Sequence, residues 1–365
     1  MERFSQKLLV GGFLLLLFGL LLAHLLLPDA EFSYSERRRL AEAPELTLAS
    51  VRDGSFFQDA ETYLLDHFPL RDTFRTGKAL YSYGVLRTLD NNGIYLLSGA
   101  AYKLEYPLNE RQVAYAAALF ERICTNLLTA NNRTFWAVIP DKNYFVAAQN
   151  GYPSMDYERL YAVMRETLAT PEEIPLADLL DETDYYRTDL HWRQERLFPV
   201  AARIAEALGV TIDGEAAYRP HSFGTFHGAY YGQAALPLAP DELTYLTSAV
   251  TDGCAVTSIE STGTTGVYTP EAYDGMDAYD VFLSGATALL TVENPHAATD
   301  RELILFRDSF GSSLAPLLLS GYRRVTLVDL RYIASSELEK YITFDDQDVL
   351  FLYSTQILNS GAMLR

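Results

Sequence analysis

Apolar positions along this chain fall into three rhythms, and each predicts a different kind of element. The first is unbroken. "KLLVGGFLLLLFGLLLAHLLL" at 7–27 holds about twenty nearly continuous apolar positions, enough for a helix to cross a bilayer core of about 30 Å. The second is helical spacing. "FFQDAETYLLDHFPLRDTFRTGKALYSYGVL" at 56–86 shows it with a break at Pro69, which predicts a helix, a turn and a second helix. The same spacing predicts helices over 109–130, in "YERLYAVMRETLAT", and in "RQERLFPVAARIAEALG", which ends at Gly209. The third is a short run apolar on both faces: "TFWAVIP", "ELILF", "RRVTLVDLR" and "DVLFLYS". Such runs are expected of parallel strands with helices on both sides. "IPLADLL" predicts another short strand, and "NNGIYLLSG" a bend at Gly93 followed by one.

Strands alternating with helices define an α/β protein: a three-layer α/β/α domain on a mainly parallel sheet. From about 211 to 300 the composition shifts to Gly, Thr, Ser and Tyr, with β-branched runs such as "CAVTSIES". That stretch is expected as a β-rich insertion. The organisation is then an N-terminal membrane anchor at 1–28, a tether at 29–55 and one domain over 56–365.

Charge and composition narrow the partners. The net charge of −19 excludes nucleic acid, whose phosphates most of the surface would repel. Arg3 and Lys7 precede the apolar run, as expected of an anchor with a cytoplasmic N-terminus. "ERRR" at 36–39 places positive charge on the far side and weakens that orientation. The run is too long for a cleaved signal peptide and no small-x-small site follows it. The expected location is the cell membrane, single-pass, with the folded domain extracytoplasmic. Cys124 and Cys254 are the only cysteines; they could pair once or stay apart. His221 and His227 lack a carboxylate at metal-site spacing, and no Gly-rich phosphate loop is present, so neither metal nor cofactor is expected. Asp66 and His67, adjacent in a helix-turn segment, are expected to be structural.

The candidate chemistry lies in two short segments. "TDLHW" supplies Asp189, His191 and Trp192; "LFRDSFGSS" supplies Ser309 directly after a buried strand. Open α/β sheets place ligands at the carboxyl ends of their strands. A serine there needs a base to take its proton, and the base needs an acceptor that fixes its tautomer. Each residue also has a plain structural reading: Asp308 or Ser309 as the cap of a helix at 312–320, and Asp189 as the cap of a helix starting near Trp192. The combination of all three favours acyl transfer. An oxyanion hole would use the Ser309 N–H, with Gly224 of "FGTFHG" as a second backbone donor and Asn143 of "PDKN" as a side-chain donor. Asn143 reads equally as a turn residue. Arg331, Tyr332, Lys142 and Trp192 are candidates for contact with substrate. Arg331 and Lys142 suit an anionic or polyhydroxylated glycan, or an internal salt bridge.

"TDLHW", with "DHFPLRD", "IPDK", "FGTFHG", "RDSFG", "VDLRY" and "DVLFLYSTQIL" in order, resembles the DHHW family of SGNH-hydrolase-like proteins, related to alginate O-acetyltransferases. The resemblance runs from about residue 50 to the C-terminus. It implies Asp189 as orienter, His191 as general base and Ser309 as nucleophile, in the permuted order of that group. Leu190 stands where the family name has its first histidine, and Arg307 where many SGNH proteins carry glycine. The function implied is a membrane-anchored serine O-acetyltransferase or acetylesterase acting on a cell-surface or exported polysaccharide, with a membrane-bound O-acyltransferase as acetyl donor. A non-catalytic glycan-binding or polysaccharide-assembly protein on the same fold is the alternative.

Overall fold

The computed structural model describes residues 2–365 and divides into two compact units, one reaching to residue 92 and including 231–237, the other of 93–230 with 238–365. In the first, α1 (Glu2–Leu26) contains the apolar stretch Phe4–Leu26, long and apolar enough to cross a membrane. A two-rung ladder, β1 (Phe32–Ser33) with β2 (Arg38–Arg39), leads to α2 (Leu48–Asp53), α3 (Ser55–Asp66) and α4 (Arg71–Tyr81). The break between α3 and α4 falls at Pro69, as the spacing predicts. Asp66 and His67 are structural. The Asp66 carboxylate accepts from Arg38 and from the Ala41 N–H at 2.9 Å, and His67 Nε2 contacts the Ala41 carbonyl at 2.8 Å.

The second unit is built on a seven-stranded sheet in the order β6-β5-β13-β11-β12-β10-β9. Strands β5 (Arg133–Ile139), β6 (Glu172–Glu173), β11 (Glu302–Arg307), β12 (Arg324–Val328) and β13 (Asp348–Ser354) run parallel. Helices α5 (Glu110–Leu127) and α7 (Tyr157–Thr167) bury Phe120, Ile123, Leu160 and Met164 against one face. Helices α8 (Phe198–Leu208) and α11 (Phe310–Leu318) bury Val200, Ile204, Leu314 and Leu318 against the other. The runs apolar on both faces are thus the parallel strands, each contributing alternate side chains to two cores. Hairpins β3 (Ile94–Leu97)/β4 (Ala100–Lys103) and β7 (Arg219–Phe226)/β8 (Asp241–Thr247) lie outside the sheet. Short helices α6 (Lys142–Val146), α9 (Ala229–Ala234), α10 (Ala249–Gly253) and α12 (Thr355–Leu358) complete the chain.

Two expectations change. "IPLADLL" is not a strand: β6 stops at Glu173, and Ala177–Leu179 turns into a single 3-10 turn. Its apolar residues Ile174, Leu176 and Leu180 are buried as a loop that pads the core. The 211–300 stretch is more than an insertion, because β9 (Ala255–Ser258) and β10 (Leu289–Glu293) extend the central sheet antiparallel beyond β12. Cys124 and Cys254 are unpaired and sit in different cores.

Candidate active site

The parallel strands end at a common edge, and the residues that follow them gather there. Ser309 lies two residues after β11 and heads α11; its side chain makes no capping bond. Asp308 takes that structural duty instead. Its carboxylate accepts the Phe310 N–H at 3.1 Å and the Ser354 N–H at 2.8 Å, tying the turn to the end of β13.

The "TDLHW" segment is held in a tight loop. An isolated bridge pairs Tyr185 with Trp192, and the Tyr186 N–H donates to the His191 carbonyl at 3.0 Å. Asp241, from β8, accepts the Arg187 N–H at 2.9 Å and the Thr188 N–H at 2.7 Å. Asp189 does not cap a helix, since α8 begins only at Phe198. Its Oδ1 lies 2.7 Å from His191 Nδ1 and also accepts the His191 N–H at 3.0 Å; its Oδ2 accepts the Ala229 N–H at 2.8 Å. His191 Nε2 lies 2.7 Å from Ser309 Oγ. Asp189 and His191 are buried and Ser309 is half-buried. A carboxylate, an imidazole and a hydroxyl in this line form a proton path that can remove the serine proton as a new bond forms.

Tyr279 completes the seat of the imidazole, and no motif pointed to it. Its ring stacks on His191 at 3.8 Å between centroids with planes 8° apart, while Phe310 approaches from another side at 4.9 Å. The Tyr279 hydroxyl donates to Ser313 Oγ at 2.6 Å, which fixes the ring from α11. The only sequence signal was its place in a Tyr-rich stretch, and that is too common to single out a residue.

Several candidates for substrate contact have other employment. Trp192 is fully buried; its indole N–H donates to Ser313 Oγ at 2.9 Å and approaches the Phe310 carbonyl at 3.1 Å, pinning the loop to α11. Lys142 is also buried. Its Nζ meets the carbonyls of Ala101 at 2.6 Å, Tyr186 at 2.7 Å, Asp189 at 3.1 Å and Arg187 at 3.2 Å. Burial pushes its pKa down to about 7, with Asp189 and Asp241 pulling the other way. Lys142 therefore holds the loop that carries Asp189 rather than a ligand. Asn143 is buried as well: its Oδ1 accepts the Tyr95 hydroxyl at 2.7 Å and its Nδ2 donates to Pro153 at 3.4 Å, so its amide is not aimed at an oxyanion. Gly224 sits at a bulge inside the β7–β8 ladder with φ +124°. The "FGTFHG" motif reaches the loop further on, where the Gly228 N–H donates to Thr188 Oγ1 at 2.8 Å and Ala229 bonds Asp189. A Cβ on Gly228 would lie 2.3 Å from the Thr188 carbonyl oxygen, so the close approach requires glycine. Arg331 forks onto Asp329, with Nε–Oδ1 at 2.9 Å and Nη2–Oδ2 at 2.6 Å. Tyr332 alone of these candidates is well exposed.

The sheet and its two helical layers form a three-layer α/β/α fold that other solved structures share. A family model described as DHHW protein matches residues 176–328, a stretch that includes Asp189, His191 and Ser309. A DHHW family protein from Eubacterium siraeum superposes with a TM-score of 0.62 at 17% identity, covering 75% of this chain and 94% of that one. Bacillus cereus PatB1 superposes with a TM-score of 0.58 at 17% identity, covering 73% and 96%. The O-acetyltransferase domain of Pseudomonas putida AlgJ is more distant, with a TM-score of 0.45 at 14% identity over 73% and 92%. No curated protein sequence matches this chain.

Proposed function

We propose that this chain is a membrane-anchored serine O-acyltransferase or esterase that handles acetyl groups on an exported or cell-surface polysaccharide. The observation that carries the reading is the continuous path from Asp189 Oδ1 through His191 to Ser309 Oγ, with both links at 2.7 Å. Ser309 Oγ attacks the acetyl carbonyl while His191 Nε2 takes its proton and Asp189 balances the imidazolium. The tetrahedral oxyanion forms beside the Ser309 N–H at the head of α11, since the Phe310, Gly311 and Ser312 N–H groups already donate to Asp308 and Ser309. His191 returns the proton to the departing oxygen, leaving acetyl-Ser309. A sugar hydroxyl, deprotonated by His191, then takes the acetyl group; water in that role gives an esterase. The acetyl donor proposed is a membrane-bound O-acyltransferase working beside the anchor. The rival reading, a non-catalytic glycan-binding or polysaccharide-assembly protein, predicts a misaligned or blocked Ser309, for example one capping its own helix; Ser309 makes no such bond and lies 2.7 Å from His191 Nε2.

The test uses the full chain with p-nitrophenyl acetate and an acceptor oligosaccharide. Wild type should release nitrophenol, with Ser309→Ala and His191→Ala at the uncatalysed rate. Acetyl on the sugar marks a transferase; free acetate alone marks an esterase. Equal rates in all three proteins would refute catalysis and leave glycan binding.

A further inference from the structure

The motif "DHFPLRD" at 66–72 takes no part in the chemistry above, yet it is built inside out. Two of its three charged groups are held in ion pairs, Asp66 with Arg38 and Arg71 with Glu36 at 2.5 Å, while Asp72 stays exposed. Glu36 also holds Arg75 at 3.1 Å. The apolar side chains around them face out. Leu64, Leu65, Leu70 and Phe74 are all more than half exposed, and Phe68 rests on Phe74 with ring centroids 5.6 Å apart. A water-facing surface has the opposite arrangement, and contiguous exposed apolar groups of this kind mark an interaction face. Leu70 adds a second oddity. Its φ of +60° places a branched side chain in the left-handed region that glycine or asparagine would occupy more cheaply. The turn thus keeps a large apolar group at its apex despite the strain.

The patch is continuous with the membrane-spanning helix. Close to its exposed residues, Tyr63 donates to Asp29 Oδ2 at 2.8 Å, and His24 Nδ1, in the last turn of α1, donates to the His67 carbonyl at 3.1 Å. Leu64, Leu65 and Phe68 therefore begin within a helical turn of the point where α1 ends.

We propose that the 64–74 turn beds into the headgroup–acyl boundary of the bilayer that α1 crosses, so that the protein meets the membrane through two elements. Leucine and phenylalanine outward, with Asp66, Glu36 and Arg71 paired beneath them and Asp72 free to stay at the headgroup level, is a composition such a boundary accepts. The proposal rests on the reading of α1 as an anchor, and the experiment separates the two.

Single cysteines at Leu15, Leu65 and Leu70 of the full chain carry an environment-sensitive fluorophore in vesicles of neutral phospholipid. Burial pushes the Cys124 thiol up to about 12 and the Cys254 thiol up to about 11, so neither competes for the label near neutral pH. Nitroxide on the lipid, near the headgroup or at the chain end, and aqueous iodide serve as quenchers. The expected result is quenching of Leu65 and Leu70 labels by the headgroup nitroxide, roughly twofold or more, with protection from iodide. The Leu15 label should respond to the chain-end nitroxide. If Leu15 responds while Leu65 and Leu70 answer only to iodide, the docking is overturned and the anchor stands. If none responds to lipid nitroxide, the anchor reading fails and the docking with it. Labels shielded in native membranes but open to iodide in pure lipid would assign the patch to a membrane protein, which also overturns the proposal.

Discussion

At the residue scale, the proposed chemistry depends on what holds His191. The Asp189 carboxylate fixes its tautomer, and Tyr279 fixes its plane. Asp189→Asn should leave KM nearly unchanged and lower kcat by about 10³–10⁴-fold, because the amide favours the wrong tautomer. Tyr279 differs, because the ring and not its hydroxyl faces the imidazole. An aromatic face stabilises the imidazolium that forms in the transition state by about 1–2 kcal/mol. Tyr279→Phe should therefore keep most of the activity, while Tyr279→Leu should lose roughly tenfold or more in kcat. Equal losses in both variants would mean that the Ser313 bond, not the stack, matters. Lys142 adds a pH signature. Its folded pKa, near 7, lies below its ordinary value of 10.5, so the folded chain binds fewer protons between those limits. Its contribution to stability then rises with pH from about 7 to 10.5 and is flat below 7, where the buried ammonium carries its full penalty. Urea unfolding of wild type and Lys142→Met should diverge across that window.

At the scale of elements, the sequence told most where one segment carries its own signal. Runs such as "TFWAVI" and "ELILF" are apolar on both faces because each strand feeds two cores, and that is visible without any partner. Asp189, His191 and Ser309 were legible because strand ends and short motifs are local. Tyr279 was not, because its meaning depends on a stack with a residue 88 positions earlier. Lys142 and Arg331 were legible as cations with two possible uses, and only the packing around them decides for the internal one. The β9 and β10 strands were hidden by short length and by the loops between them. Arg307 shows the same limit. It ends β11 fully buried, with Nη1 3.7 Å from Asp329 Oδ2 and no hydrogen bond from its guanidinium. Asp329 keeps Arg331 whether or not Arg307 is present. Arg307→Met should therefore leave stability within about 1 kcal/mol, since a buried charge without hydrogen bonds contributes little net. Asp329→Asn strands two guanidinium groups and should cost about 3–5 kcal/mol, read by chemical denaturation.

At the scale of the whole molecule, the charge is unevenly distributed. Residues 1–92 carry ten Lys and Arg against twelve Asp and Glu, so nearly all of the −19 belongs to the remainder. The unit holding Ser309 is thus strongly acidic, and the two cations expected to greet an anionic glycan, Lys142 and Arg331, are spent internally. Such a field repels a uronate polymer more than a neutral or amino-sugar one. With a uronate-rich acceptor, raising salt from low to physiological strength should speed transfer by screening the repulsion; with a neutral glucan it should change little. A uronate reaction slowed by salt would contradict this.

The central claim is that Ser309 is an activated nucleophile, made so by His191 and Asp189. A sulfonyl fluoride reports directly on this, because it sulfonylates a serine hydroxyl that a neighbouring base activates. The full chain is treated with a sulfonyl fluoride and its peptides are weighed by mass spectrometry. A single adduct on the peptide containing Ser309, absent in Ser309→Ala and strongly slowed in His191→Ala, is the predicted result. No adduct on that peptide in wild type, or one that forms equally fast without His191, would contradict the account.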